Sequence, residues 1–370
     1  MGDDINGSLS NLNITFIAGT LGPGGAEKQL FLIIKSLVKL NARVSLISLS
    51  SGEFWEQPII DLGINYYSLY NKGNKTIRLY RIIKLLIKIK PVIVQSQHFY
   101  TNLYAFAGAI ACGAKSIGAS RNSLYREMKE NGWFGLASLK FPDFMIANSQ
   151  QSVLQSKGFR KNSERVFFLQ NAIDESKYSG VKSLQLKNDK ITFLTIGRLT
   201  EQKRIDKFIY LISKLKEVYG ERITGIIIGS GKIENELKHL AIANGLTEVF
   251  LKFISHTSTP EDYLNTADFF ILTSDFEGTP NVVLEAMVAG LPVITTQVGD
   301  LPFFIKDKEN GYFFDNSLEH LFQIVANLIT ENEQVVNVVK NAKNTVHDLF
   351  SIQAMEKKMI YIYTQILKTD

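Results

Sequence analysis

Ser274–Val293, SDFEGTPNVVLEAMVAGLPV, follows the apolar run Phe269 to Leu272 and places a loop and then a helix behind a buried strand. Pro280 sits where a first helical turn tolerates a missing N–H, so the sequence predicts a helix beginning near Thr279 to Asn281. The first turn of such a helix leaves N–H groups unpaired, and the macrodipole adds partial positive charge, which favours an anion such as a phosphate. Glu277 lies in the loop before this helix start and Glu285 one to two turns beyond it, two carboxylates eight residues apart. A ligand carrying both phosphate and hydroxyls fits that pair. Taken alone, the two glutamates are also what an amphipathic helix behind a buried strand carries.

The same strand-to-helix unit recurs along the chain. Apolar runs and helical patterns alternate over Leu12 to Ala18, Ala26 to Leu40, Val44 to Leu49, Thr76 to Lys90, Val92 to Ser96 and Asn102 to Ala111, and continue in Ser116 to Ala119, Phe144 to Ala147 and Val166 to Leu169. QNAIDES and a polar stretch through Lys190 then mark the expected end of a first domain. The pattern resumes with Ile191 to Ile196, Asp206 to Tyr219, Thr224 to Ile228, Ile233 to Ala243, Phe250 to Phe253, the opening stretch, Val293 to Thr296 and Tyr312 to Phe314, and three helical segments close the chain. Such alternation predicts the α/β class: two doubly wound, Rossmann-like parallel sheets, over residues 1–175 and 186–351. A ligand is expected between them, beyond the carboxyl ends of their strands.

With 370 residues the chain is long for one compact domain and comfortable for two. Apolar content of 45% and charged content of 21% exclude an intrinsically disordered chain. Met1 to Ser10 is polar and lacks the apolar core of a signal peptide, and no segment offers about eighteen uninterrupted apolar residues, so a cytoplasmic protein is expected. The single cysteine, Cys112, excludes an internal disulfide and a cysteine zinc cluster.

Several loops have residues suited to an anionic ligand. GTLGPGGAEKQ, Gly19 to Gln29, joins the first strand to the first helix, and Gly24 and Gly25 let backbone approach an anion there. A flexible connection explains the same glycines. In GRLTEQKRID, Arg198 and Lys203 follow a buried strand, and paired cations at a diphosphate stabilise the charge that grows as a nucleotide leaves. A solvated strand-end pair is the plain alternative. Gly229 and Gly231 end the next strand, as a tight turn or a nucleotide contact, and His98 in QSQHFY ends another.

The run EGTPNVVLEAMVAGLPV, with its E-x7-E spacing, resembles the signature of family 4 glycosyltransferases. That resemblance implies the GT-B fold, with the C-terminal helix (352–370) crossing back onto the N-terminal acceptor domain, and transfer from a nucleotide sugar with retention at the anomeric carbon. It implies catalytic roles for Arg198, Lys203, Glu277 and His98. Donor contacts are implied for Gly24, Gly25, Gly229, Gly231, Thr279, Pro280, Asn281, Val282 and Glu285, and an acceptor contact for Arg121. GGAEKQ is similar to the family's Gly-Gly-x-Glu segment, and a His is frequent at the place of His98. The implied donor is a UDP-sugar, the acceptor a glycan or lipid-linked glycan. Asp275 and Glu277 form a D-x-E, but the histidines are scattered and the cations can neutralise a diphosphate, so no metal or other cofactor is expected.

Two departures stand out. Arg204 replaces the glycine that follows the family lysine, and Phe303 in VGDLPFFIKD replaces a glutamate, leaving Asp300 as a substitute acceptor. Phe303 keeps open a non-catalytic nucleotide-sugar-binding partner, and a GT-B nucleotide-sugar epimerase is the other alternative. Residues 1–170 carry 20 Lys+Arg against 10 Asp+Glu, the remainder 21 against 26. Arg78, Arg81, Lys84 and Lys88 form a basic stripe that suits either an anionic membrane surface or a solvated helix face. Trp133, Phe134, Leu136, Leu139 and Phe141 fit either core packing or a lipid tail. No recognised module points to nucleic acid.

Overall fold

The computed structural model describes residues 9–70, 74–121, 124–178, 190–255, 257, 259–330 and 333–369. Most of the polar segment Met1 to Ser10 and of the polar stretch before Lys190 lies outside the described residues. The chain divides into two compact units, Met1–Ala172 together with Ile352–Asp370, and Ile173–Ser351.

The first unit contains β1 (Asn13–Ala18), α1 (Gly25–Lys39), β2 (Arg43–Ser48), α2 (Glu56–Ile60), β3 (Asn65–Ser68), α3 (Lys75–Ile89), β4 (Ile93–Ser96), α4 (Asn102–Cys112), β5 (Lys115–Ser120), α5 (Leu124–Lys140), β6 (Phe144–Ala147), α6 (Gln150–Phe159) and β7 (Val166–Phe168). The strands form one sheet in the order β3-β2-β1-β4-β5-β6-β7, and every neighbouring pair is parallel. The second unit contains β8 (Ile191–Ile196), α7 (Ile205–Tyr219), β9 (Ile223–Ile228), α8 (Glu234–Ala243), β10 (Leu251–Ile254), α9 (Pro260–Thr266), β11 (Phe269–Leu272), α10 (Asn281–Ala289), β12 (Val293–Thr296), α11 (Leu301–Phe304), β13 (Tyr312–Phe314), α12 (Leu318–Thr330) and α13 (Glu333–Phe350). Its parallel sheet runs β10-β9-β8-β11-β12-β13.

Strand alternation divides each core between the two faces of its sheet. In β1, Ile14 and Phe16 pack with Leu30, Ile33 and Leu37 of α1, whereas Ile17 joins Ile47, Val94 and the α3 residues Ile82 and Leu86. The last helix, α14 (Ile352–Lys368), buries Met355, Met359, Ile362 and Tyr363 in the α1 face of the first unit. Tyr363 also donates its hydroxyl to Gln95 Oε1 at 2.7 Å, so the closing helix is fixed to β4 by a buried hydrogen bond.

The units change after Ala172, inside the QNAIDES segment that marks the start of the boundary in the sequence, and hydrogen bonds divide the chain there. Ala172 exchanges both of its backbone groups with the Gln29 side chain, at 2.7 and 2.9 Å. Its neighbour Ile173 donates its N–H to Phe350 O at 2.8 Å and pairs with Ser351.

Four elements have weak or mixed sequence signals. β3 is a short, partly exposed edge strand (NYYS) with no apolar run. The period of α5 is broken at Gly132, whose φ of 54° and ψ of −133° kink the helix. α6 and α9 are short and polar, with few buried residues.

Candidate functional site

Both sheets reverse their strand order once, between β1 and β4 and between β8 and β11. In doubly wound sheets such switch points open a crevice at the carboxyl ends of the flanking strands. Most of the candidate residues follow these four strands.

In the second unit the turn after β8 and the loop after β11 are joined by several hydrogen bonds. Asp275 donates its N–H to Gln202 O at 2.9 Å, Gln202 Nε2 donates to Phe276 O at 2.7 Å, and Thr273 Oγ1 donates to Lys203 O and Arg204 O at 2.9 and 2.8 Å. The result is a Lys203 Nζ to Glu277 Oε1 contact of 2.6 Å between side chains only 12% and 10% exposed. Arg198 stands exposed at the end of the same strand, with no described side-chain partner. Arg204 turns the other way: it is left-handed (φ 47°), bonds both oxygens of Asp206, and reaches Asp275 at 3.4 Å. Lys203 and not Arg204 is therefore the cation beside Glu277. The two carboxylates of the D-x-E are held on separate cations.

Gly229 and Gly231 have an explanation internal to the unit. A Cβ at Gly229 (φ 146°) would lie 1.9 Å from Gly197 O, and one at Gly231 would lie 2.1 Å from Leu199 O. The loop after β9 thus presses on the loop that carries Arg198. Leu199 N–H donates to Ser230 O at 2.9 Å.

α10 begins at Asn281, at the late end of the expected range, and Pro280 is its N-cap with an extended ψ of 109°. Pro280 does not occupy the first helical turn; its carbonyl instead accepts the Val283 N–H at 3.1 Å. Thr279 and Pro280 are buried, Asn281 and Val282 half-buried. Glu285 is 5% exposed, one turn into the helix, and lies close enough to Tyr178 to add to the effect of burial in holding that phenol far above its ordinary range. Asp300 is buried, accepts from Thr279 Oγ1 at 3.5 Å and donates its N–H to Gly278 O at 2.9 Å, while Phe303 is 61% exposed.

In the first unit, β1 and β4 bring Gly24, Gly25 and His98 to one place, together with residues the sequence reading left without a role. Gly24 is the N-cap of α1 and Gly25 its first residue. Glu27, in the first turn, lies 2.9 Å from His98 Nε2, and the Gly19 N–H donates to His98 Nδ1 at 3.1 Å. A Cβ at Gly24 would lie 2.2 Å from Glu27 Oε2, so the glycine makes room for a carboxylate. Glu53 receives the hydroxyls of Thr20 and Ser50, at 2.8 and 2.5 Å, and the Leu21 amide. Burial raises the Glu53 pKa, but these three hydrogen bonds outweigh it and leave the group below its ordinary value. Tyr100 stacks on His98 with ring centroids 5.3 Å apart, and its hydroxyl is pushed up to about 12 by burial and then by Glu27 and Glu53. Glu27 belongs to the GGAEKQ segment; Glu53 belongs to no motif.

Arg121, at the end of β5, is not part of this group. It is buried beside Tyr363, Nε and Nη2 have no hydrogen-bond partner among the described residues, and desolvation pulls it down to about 10.

The apolar segment of α5 is divided. Leu139 is in the core and Leu136 half-buried, but Trp133, Phe134 and Phe141 are 67%, 57% and 50% exposed. On α3, Lys84 and Lys88 are exposed, Arg78 and Arg81 half-buried. Among the described residues no helix is long and apolar enough to cross a membrane.

Residues 180–345, within the second unit, match the family described as "Glycosyl transferases group 1". The amylovoran biosynthesis glycosyltransferase AmsK of Erwinia amylovora is 30% identical over 198 residues, 51% of this chain and 48% of that protein. The chain thus spans about half the length of the first curated relatives it matches. A Campylobacter jejuni protein is 24% identical over 367 residues, 96% of this chain and 99% of its own length. It is named as an alpha-1,4-N-acetyl-D-galactosaminyltransferase acting on a diNAcBac-PP-undecaprenol-linked glycan. Anabaena HepE, solved with UDP-glucose, superposes with a TM-score of 0.84 at 17% identity, over 96% of this chain and 99% of that one. The fold is GT-B.

Proposed function

We propose that this chain, with a glycosyl transferases group 1 match in its second unit and a GT-B fold, is a retaining glycosyltransferase that moves a sugar from a UDP-sugar to a lipid-linked glycan acceptor in polysaccharide synthesis. The Lys203–Glu277 pair at the switch point of the second sheet carries this reading. A cation shielded from water and held by a single carboxylate can turn to a diphosphate as it enters, and the exposed Arg198 adds a second positive charge at the same strand end. The names of the relatives, one for amylovoran biosynthesis and one for transfer to an undecaprenol-linked glycan, support the acceptor class, and the UDP-glucose complex of HepE supports the donor class.

In the proposed reaction the acceptor hydroxyl oxygen bonds to the anomeric carbon on the face from which the diphosphate departs. The C–O bond to phosphate breaks with its electron pair going to the diphosphate oxygen, which takes the hydroxyl proton. Lys203 and Arg198 stabilise the charge on that oxygen, and the protein's contribution is orientation and electrostatics. Glu277 holds hydroxyls of the transferred sugar, Glu285 those of the ribose, and the loop residues 279–282 and the glycines at 24, 25, 229 and 231 line the donor. Arg121 belongs to the acceptor side, and no metal is required.

Thermal stabilisation and turnover with UDP-glucose, UDP-galactose and UDP-N-acetylgalactosamine, with and without chelator, test the reading. The product should keep the donor's anomeric configuration by NMR when fresh, and turnover should survive EDTA. An inverted product would remove the retaining assignment, and a requirement for a divalent ion would return Asp275 and Glu277 to metal binding. The exposed Phe303 in the place of a family glutamate favours one second reading, a non-catalytic binder, which stabilisation without any turnover would establish.

A further inference from the structure

We infer that Glu27 is a ligand-contacting residue of the first unit, that its Oε2 accepts a hydroxyl of a carbohydrate ligand, and that His98 is the positioning residue that aims it. The inference rests on the glycosyltransferase reading for the identity of the ligand, not for the geometry.

Donor logic fixes the state of His98. A backbone N–H can only donate, so the Gly19 amide, 3.1 Å from Nδ1, requires that nitrogen to be a bare acceptor. The ring is therefore neutral with its proton on Nε2, and that N–H donates to Glu27 Oε1 at 2.9 Å. The contact has the distance of an ion pair but is a hydrogen bond from a neutral imidazole to a carboxylate. Both ring nitrogens are thereby used within the unit, and His98 has no nitrogen left to offer a ligand without breaking one of these bonds.

Glu27 keeps an oxygen available. Oε2 has no hydrogen-bond partner among the described residues, and it is not one of the sealed buried atoms that lack one. It lies over Gly24, where any side chain would displace it. The first-turn position in α1 lets the helix macrodipole stabilise the charge. An ionised carboxylate oxygen only accepts, and Glu53 places a second negative group nearby, bonded to the same loop through Thr20 and Leu21. Such a place attracts hydroxyls and repels phosphate, so Gly24 and Gly25 do not meet the anion expected of them from the sequence, and the part of a donor they line is its sugar. For a nucleotide-sugar or glycan ligand, the matching part is a sugar hydroxyl.

The test uses the full-length protein and two independent measurements. Long-range ¹H–¹⁵N spectra of the histidine rings, with His98 assigned by its loss in His98→Asn, should show the neutral Nε2–H tautomer. A Nδ1–H tautomer or an imidazolium at neutral pH would overturn the inference, whether or not any nucleotide sugar turns over. Turnover of the UDP-glucose, UDP-galactose and UDP-N-acetylgalactosamine probes should then fall about ten- to a hundredfold in kcat/KM in Glu27→Gln, folded by circular dichroism, as for loss of a hydrogen bond to a charged group. His98→Asn should lose less, and the double variant should be no worse than Glu27→Gln, because His98 acts through Glu27. Losses that multiply would assign His98 its own ligand contact, and a Glu27→Gln enzyme within about twofold of wild type, inside the scatter of such comparisons, would remove Glu27 from the site. Wild-type protein that turns over none of the probes sinks the glycosyltransferase reading and with it the sugar hydroxyl, while the spectra still decide the Glu27–His98 geometry.

Discussion

At the residue scale, Lys203 and Glu277 lie 74 positions apart in sequence and 2.6 Å apart in space. The two cations of this site differ in one respect that experiment can use: Lys203 is shielded and paired, Arg198 exposed. Arg198→Ala should leave thermal stability within about 0.5 kcal/mol of wild type and lower turnover, whereas Lys203→Ala should lower both, since it strands the Glu277 carboxylate. Turnover losses of about ten- to a thousandfold in kcat are expected for either, and unchanged kcat in both would remove the leaving-group role. Glu53 gives a pH prediction. Its folded-state pKa is depressed, so it stabilises the fold above the unfolded carboxylate range and loses that contribution as pH falls through the folded value. The stability gap between wild type and Glu53→Gln should therefore be largest near neutral pH and close on acidification below about pH 4, which urea titrations across pH would reveal. Of these residues the sequence announced the first three, because they belong to a motif. Glu53 was silent because its function is to receive the Thr20 and Ser50 hydroxyls and the Leu21 amide, a relation among loops.

At the element scale, the turn between β8 and α7 shows how a departure from a family pattern is accommodated. Arg204 adopts a left-handed conformation that glycine accepts without strain, and offsets that cost with its two hydrogen bonds to Asp206 and the longer one to Asp275. Arg204→Ala removes the bonds and keeps the strain; Arg204→Gly removes both. The glycine variant should therefore be the more stable of the two by about 1 kcal/mol in chemical denaturation, and equal stabilities would mean that the left-handed turn relaxes once the guanidinium is gone. Helix α5 shows the opposite case. Gly132 interrupts it, so no single helical period runs through the segment, and Trp133 and Phe134 emerge beyond the kink with their rings 4.6 Å apart in the exposed part of the helix.

For the whole molecule, charge and exposed aromatic surface coincide in the first unit, whose residues 1–170 hold twice as many basic as acidic groups. Lys84 and Lys88 face solvent beside the exposed Ile77, Tyr80 and Ile87, and α5 adds Trp133 and Phe134, with Phe141 just beyond its end. Each basic group near an anionic surface contributes about 1 kcal/mol, so a stripe matters where one residue does not. Replacing Arg78, Arg81, Lys84 and Lys88 by Gln should weaken sedimentation with phosphatidylglycerol-containing liposomes and make the remainder less salt-dependent, and Trp133→Ser with Phe134→Ser should weaken it further. Wild-type protein that ignores such liposomes at low salt would point to a soluble acceptor. The sequence by itself determined that the chain forms two parallel sheets with helices between their strands, because apolar runs and helical periods are local properties and strands buried on both faces carry them plainly. It also determined which loops hold cations and carboxylates. Only the tertiary structure decided which of these meet: the reversal of strand order sets β8 beside β11 and β1 beside β4, and through them Lys203 beside Glu277 and Glu27 beside His98. Exposure of the α5 aromatics was likewise a tertiary outcome, since a helical apolar period has the same form whether its face meets a core or water.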